Sequence, residues 1–281
     1  MRSALNRFLK STQKIRDIAL DIDEHAGAAL SCHSVWERHE TIQCASAVIL
    51  SGFLETFLHE VAEAFISSLC AKQVAFTNLP VEIQKTHYGL GGEVLTSRQR
   101  NNSKSKWITA TPEDIARRLA SVVNIPYELV WEAFADTKSN PNADVIKGFL
   151  QNFGINEPTK KLEAKLTLSW NTIKASLDSF IAVRNESAHT GKATQAPSPS
   201  DLRDYCDLLD RVAGGVIDTL NDYLSTNLFL SHSTNTPIVA SSTPVNNFIT
   251  DLDPTGIVEA SSSRIPFSIK KIFIFLRNLF R

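Results

Sequence analysis

Apolar residues recur along this chain at three- and four-residue steps, in blocks broken by polar punctuation, and each block predicts an amphipathic helix. The first block spans residues 3–30, with Leu5, Phe8, Leu9, Ile15, Ile18 and Ile22 on one face and Arg, Lys and Asp between them. Ser31-Cys32-His33-Ser34 interrupts it. Thr41 to Lys72 is the longest apolar stretch, running from Ile42 through Leu50, Phe57 and Phe65 to Leu69, and its stripe is wide enough for the centre of a bundle. A third block, Lys160 to Ala188, places Leu162, Leu166, Trp170, Ile173, Leu177, Phe180 and Ile181 in phase. The last opens on the cap Ser198-Pro199-Ser200-Asp201 and carries Leu202, Tyr205, Leu209, Val216 and Leu220 to Leu224. Four long helices with short or structured links predict an all-α antiparallel bundle.

Between the second and third blocks, from about 74 to 142, the period weakens. Pro80, Gly89, Gly91-Gly92, Asn101-Asn102 and Pro112 punctuate it, so it reads as a partly helical insertion near one end of the bundle. Thr111-Pro112-Glu113-Asp114 carries helix-opening signals, and Ile115, Leu119 and Val122 follow in phase. Ile125-Pro126 to Phe134 predicts another short helix, Ser139 to Asn142 a turn, and Asp144 to Phe153 a short helix. Arg98, Arg100, Lys104, Lys106, Arg117 and Arg118 surround Trp107, a combination that can bind phosphate and stack a base. The favoured alternative is a solvated loop with Trp107 plugged into the core.

The helical domain is thus expected over 1–230. Residues 231–264 are rich in Ser, Thr, Asn and Pro without period, a flexible linker. Residues 265–281 form a basic amphipathic helix: Lys270, Lys271, Arg277 and Arg281 oppose Ile272, Phe273, Leu276 and Phe280. It is too short and too charged to span a bilayer. Docking on its own domain, gripping a partner and lying on an anionic membrane surface are its three uses, ranked in that order.

At 43% hydrophobic and 21% charged residues the chain has an ordinary globular composition. A formal net charge of −1 excludes a global basic field, so any nucleic-acid contact must be local. Cys32, Cys44, Cys70 and Cys206 show no C-x-x-C spacing and read as reduced core residues of a cytoplasmic protein. No signal peptide is expected, because the first residues lack an apolar centre. His25, His33 and His39 lack a partner carboxylate or thiolate at ligand spacing, and no metal is expected on them.

Candidate chemistry concentrates where the third block stops. Within Ala182-Val183-Arg184-Asn185-Glu186-Ser187-Ala188-His189-Thr190-Gly191 stand a guanidinium, a carboxamide and an imidazole. On a helix Asn185 and His189 share a face, whereas Arg184 and His189 lie roughly 140° apart. Convergence of those two on one ligand requires the helix to loosen near Ala188, which Gly191 would allow, or a second copy of the chain to supply half the site. Arg and His in a last helical turn can also serve only to satisfy terminal carbonyls and the helix dipole.

Arg184-Asn185, three residues and His189 match the R-x4-6-H signature of the HEPN superfamily (higher eukaryotes and prokaryotes nucleotide-binding). Together with the flanking helices the chain resembles the prokaryotic RiboL-PSP-HEPN-like members, which are associated with toxin–antitoxin and phage-defence systems. Two departures stand out: Gly191 comes one place late, after Thr190, and Glu186-Ser187 replace a usually more apolar pair. The resemblance implies a HEPN-like bundle, homodimeric, acting as a metal-independent endoribonuclease without cofactor on tRNA or mRNA. An antitoxin or other protein partner is also implied. Family members often carry an acidic residue on the second helix facing the motif. Glu55 is the match here, although a glutamate on the polar edge of that helix is otherwise ordinary.

The residue types suit that chemistry. RNA supplies its own nucleophile, the 2′-hydroxyl, so cleavage needs proton transfers and stabilisation of a phosphorane. The imidazole of His189 suits proton transfer. The fork of Arg184 donates two parallel bonds to phosphate oxygens. Asn185 can orient the imidazole or donate to a phosphate oxygen, and Glu55 can hold either charged partner. The alternative is a non-catalytic HEPN module that binds nucleotide, RNA or a protein.

Overall fold

The computed structural model describes residues 1–27, 32–99, 108–123, 125–135, 137, 141–191 and 193–226. Arg100, Lys104, Lys106, Trp107, Ser139, Asn140, the linker 231–264 and the segment 265–281 lie outside the described residues.

Eight helices follow in chain order among the described residues: α1 Arg2–Glu24, α2 His33–Cys70, α3 Val81–Gln99, α4 Pro112–Ser121, α5 Ala143–Asn152, α6 Pro158–Leu166, α7 Trp170–Thr190 and α8 Pro199–Ser225. The described residues form no strand. Directions follow from the side chains that meet. Along α1, Thr12 bonds Asp210 at 2.8 Å, Arg16 bonds Asp207 and Asp210 at 2.6 Å, and Asp23 pairs with Arg203, so α8 runs antiparallel to α1. Ser3 and Ala4 face Ala64 and Ser67 across a surface cleft, while Phe8 meets Phe57 with ring centroids 5.1 Å apart, so α2 is antiparallel to α1 too. The long helices α1, α2, α7 and α8 are the antiparallel all-α bundle that the apolar stripes predict.

α2 is the axis of that bundle. It packs against α1, α7 and α8, and Leu50, Leu54, Phe57, Leu58, Val61, Phe65 and Leu69 are buried in one continuous core. By length and composition it could cross a bilayer, yet half of its most apolar window is buried against the rest of the protein. Burying seven such side chains stabilises the fold by roughly 1.5–3 kcal/mol each before chain entropy is counted.

The insertion is part of this core. Phe134 stacks on Phe153 at 5.3 Å, and Phe153 packs on Phe65 at 4.6 Å. Tyr223 near the end of α8 joins them, so this junction lies toward the C-terminal ends of α2 and α8.

Four expectations need correction. The helix expected over 160–188 is two helices: Thr167 turns left-handed with φ 54°, and the Ser169 side chain caps α7 by accepting from the Thr172 N–H. No α-helix forms from Ile125 to Phe134; only a single 3-10 turn, Trp131–Ala133, is present. The stretch around Gly89, Gly91 and Gly92 is instead the interior of α3. Gly91 permits close packing, since a Cβ there would stand 3.0 Å from Leu119 Cδ2 and 3.6 Å from Val130. Finally, Cys32 is an exposed residue at the N-cap of α2, whereas Cys44 and Cys206 are buried and Cys70 is half-buried; all four thiols are free.

Candidate active site

Local sequence explains how α7 presents its last two turns. Ile173, Leu177, Phe180 and Ile181 are buried, and Phe180 packs on Tyr205 of α8 at 5.2 Å. They fix the rotation of the helix against the core. The antiparallel register of α1 with α8 sets the start of α8 beside the end of α1. A short connection joins α7 to α8, so the last turn of α7 lies at that same end, where α2 also begins.

The helix does not loosen at Ala188. It stays α-helical through Thr190 and closes on Gly191, whose φ of 74° is the left-handed cap glycine favours. The Gly191 N–H donates to the Ser187 carbonyl at 3.0 Å, and the Thr190 hydroxyl to the Glu186 carbonyl at 2.8 Å. Arg184 and His189 therefore keep their helical separation of roughly 140°, while Asn185 and His189 share a face.

Arg184 is half-buried and its Nη1 donates to Asn185 Oδ1 at 3.0 Å, so two of the expected site residues meet directly. His189 and Ala188 are exposed. Glu55 is half-buried on α2 and accepts a hydrogen bond from Thr137 at 3.3 Å. None of the described hydrogen bonds and ion pairs joins Glu55 to the three motif residues.

Two motif residues outside the expected set prove well defined. Glu186 accepts from the Thr194 N–H at 2.6 Å and also from the Thr194 hydroxyl, bonds that hold its carboxyl below the usual range. This bond folds the loop after Gly191 back on the motif. Ser187 is buried, at 6% exposure, and its Oγ has no hydrogen-bond partner. Its spacing of seven from Phe180 places it on the buried stripe, a signal present in the helical period itself.

Three described basic residues of the insertion are engaged locally. Arg117 pairs with Glu128 at 2.9 Å, Arg118 grips the buried Glu132 at 2.9 Å, and Arg98 donates to the Ala110 carbonyl at 3.2 Å. Among the described residues no three His, Cys, Asp or Glu side chains are grouped to hold a metal ion.

A family model described as RiboL-PSP-HEPN matches residues 8–226, the whole bundle with its insertion and the motif helix. No curated protein and no solved structure matches the chain.

Proposed function

The chain belongs to the RiboL-PSP-HEPN family, and from that premise we propose that it is a metal-independent endoribonuclease whose site is completed by a second copy of the chain. The observation that carries this reading is the unbroken helix under the motif. With α7 helical through Thr190, the half-buried Arg184 and the exposed His189 face different directions on one chain. Two chains meeting over this end of the bundle bring the Arg184 of one toward the His189 of the other.

In that groove Arg184 holds the scissile phosphate with its planar fork, and its charge stabilises the phosphorane. His189 takes the 2′-hydroxyl proton or returns a proton to the leaving 5′-oxygen. Asn185, one turn before His189 on the same face, orients the imidazole. Glu55 stands on α2, where it accepts from Thr137, as the acidic member of the site. A toxin or phage-defence role in the cytoplasm fits a ribonuclease of this family, and the four free thiols fit that compartment.

The test is incubation of wild-type and His189→Ala protein with total RNA and tRNA in EDTA. Wild type should leave ends with 2′,3′-cyclic phosphate, and the variant should leave none while keeping the same thermal transition. Undiminished cutting by the variant contradicts the mechanism. A second reading, a non-catalytic module that binds RNA, nucleotide or protein, is favoured by one observation. The net charge is −1, and Arg98, Arg117 and Arg118 are held within the insertion. It predicts binding without new RNA ends.

A further inference from the structure

Ser187 stands at an odd place for an unsatisfied hydroxyl. Helical Ser and Thr side chains here usually bond the carbonyl four residues back: Ser46 to Ile42 at 2.8 Å, Ser68 to Ala64 at 2.7 Å and Thr190 to Glu186 at 2.8 Å. Ser187, three residues before Thr190, does not, and its Oγ is sealed from solvent with no partner. A buried hydroxyl without a hydrogen bond is destabilising, because its lost hydration is not replaced. This chain thus carries a destabilising polar group inside its own motif.

Helix geometry says what lies over it. Side chains lean toward the N-terminus, and residues three apart are roughly 60° apart around the axis. The Ser187 hydroxyl thus leans back onto the turn that bears Arg184. At present Arg184 donates to Asn185 Oδ1, the same oxygen that would otherwise face His189 one turn on. That oxygen has two lone pairs, one of which Arg184 now occupies.

We propose that Ser187 is a positioning residue: its buried hydroxyl accepts the Arg184 guanidinium when that side chain leaves Asn185 to engage a substrate phosphate. The described arrangement is the resting one. On RNA binding the guanidinium shifts across the helix surface, one N–H donates to Ser187 Oγ, and the outer N–H groups form the fork on phosphate. Asn185 Oδ1 is released by the same movement and accepts from His189, fixing its tautomer. No bond is made or broken covalently. This inference rests on the ribonuclease reading of the motif.

The experiment compares wild type, Ser187→Ala, Arg184→Lys and the double variant in single-turnover cleavage of a short RNA, alongside thermal unfolding. Ser187→Ala should leave the melting temperature unchanged or raised, because it removes an unsatisfied buried group. Its cleavage step should nevertheless slow about ten- to hundredfold, the loss of one hydrogen bond to a charged group, at little change in KM. In the Arg184→Lys background the same change should have no further effect, since lysine lacks the guanidinium geometry. Wild-type rates from Ser187→Ala, or equal losses in both backgrounds, overturn the proposal and leave the ribonuclease reading standing. Absence of cleavage by wild type overturns both.

Discussion

Among the described residues, Ser187 and His87 are both buried and each has a polar atom without a hydrogen-bond partner, with different consequences. Ser187 lies in the motif, one turn from Arg184. His87 lies in the insertion, fully buried, with Nδ1 accepting from the Val130 N–H at 3.2 Å and Phe76 edge-on to its ring. Burial lowers its pKa from the usual 6.5 to about 4, so the folded protein holds it neutral. The unfolded chain binds the proton more readily. The stability this neutral form provides is therefore complete above about pH 6.5 and is lost as pH falls toward 4. Urea midpoints should drop across that window by the equivalent of up to about 3 kcal/mol, and His87→Phe should flatten the drop. An equally steep decline in the variant would assign the effect elsewhere. At this scale Arg184, Asn185 and His189 stand out in the sequence because their spacing is itself a signature. Glu55 stands out only as an acidic residue on an apolar helix, and its bond to Thr137 was not legible, since it joins residues far apart in sequence.

At the scale of elements, signals that act over a few residues read correctly. Thr111 with Asp114 and Ser198 with Asp201 form full capping boxes at α4 and α8. Ser198→Ala should cost about 1 kcal/mol, read from chemical denaturation. Gly191→Ala should cost about 1–2 kcal/mol, because alanine is strained at a φ of 74°, and should slow RNA cleavage by fraying the turn that carries His189. No stability change would mean that the cap is not a left-handed one. The break between α6 and α7 was illegible for a geometric reason. Leu166, Trp170 and Ile173 keep helical spacing across the left-handed Thr167, so a hydrophobic period does not register the turn. α3 was hidden the other way: its glycines argue against helix locally, and contacts with Leu119 and Val130 override them. Both are effects of packing between distant segments.

For the whole molecule, the antiparallel bundle followed from four stripes, because each must bury one face and short links leave few ways to do so. The insertion's union with the core through Phe134 and Phe153 did not, since aromatic contact between separate segments leaves no periodic trace. On the proposed reading, function at this scale depends on two chains. A site divided between them makes one prediction that no single-chain site shares. Arg184→Ala and His189→Ala proteins, each inactive alone, should regain cleavage when mixed and allowed to exchange subunits. Half of the dimers are then mixed, and in each one of two sites pairs an intact Arg184 with an intact His189. The mixture should recover about a quarter of the wild-type rate. A mixture as inactive as its components, with exchange verified by mass measurement of tagged chains, would contradict the divided site.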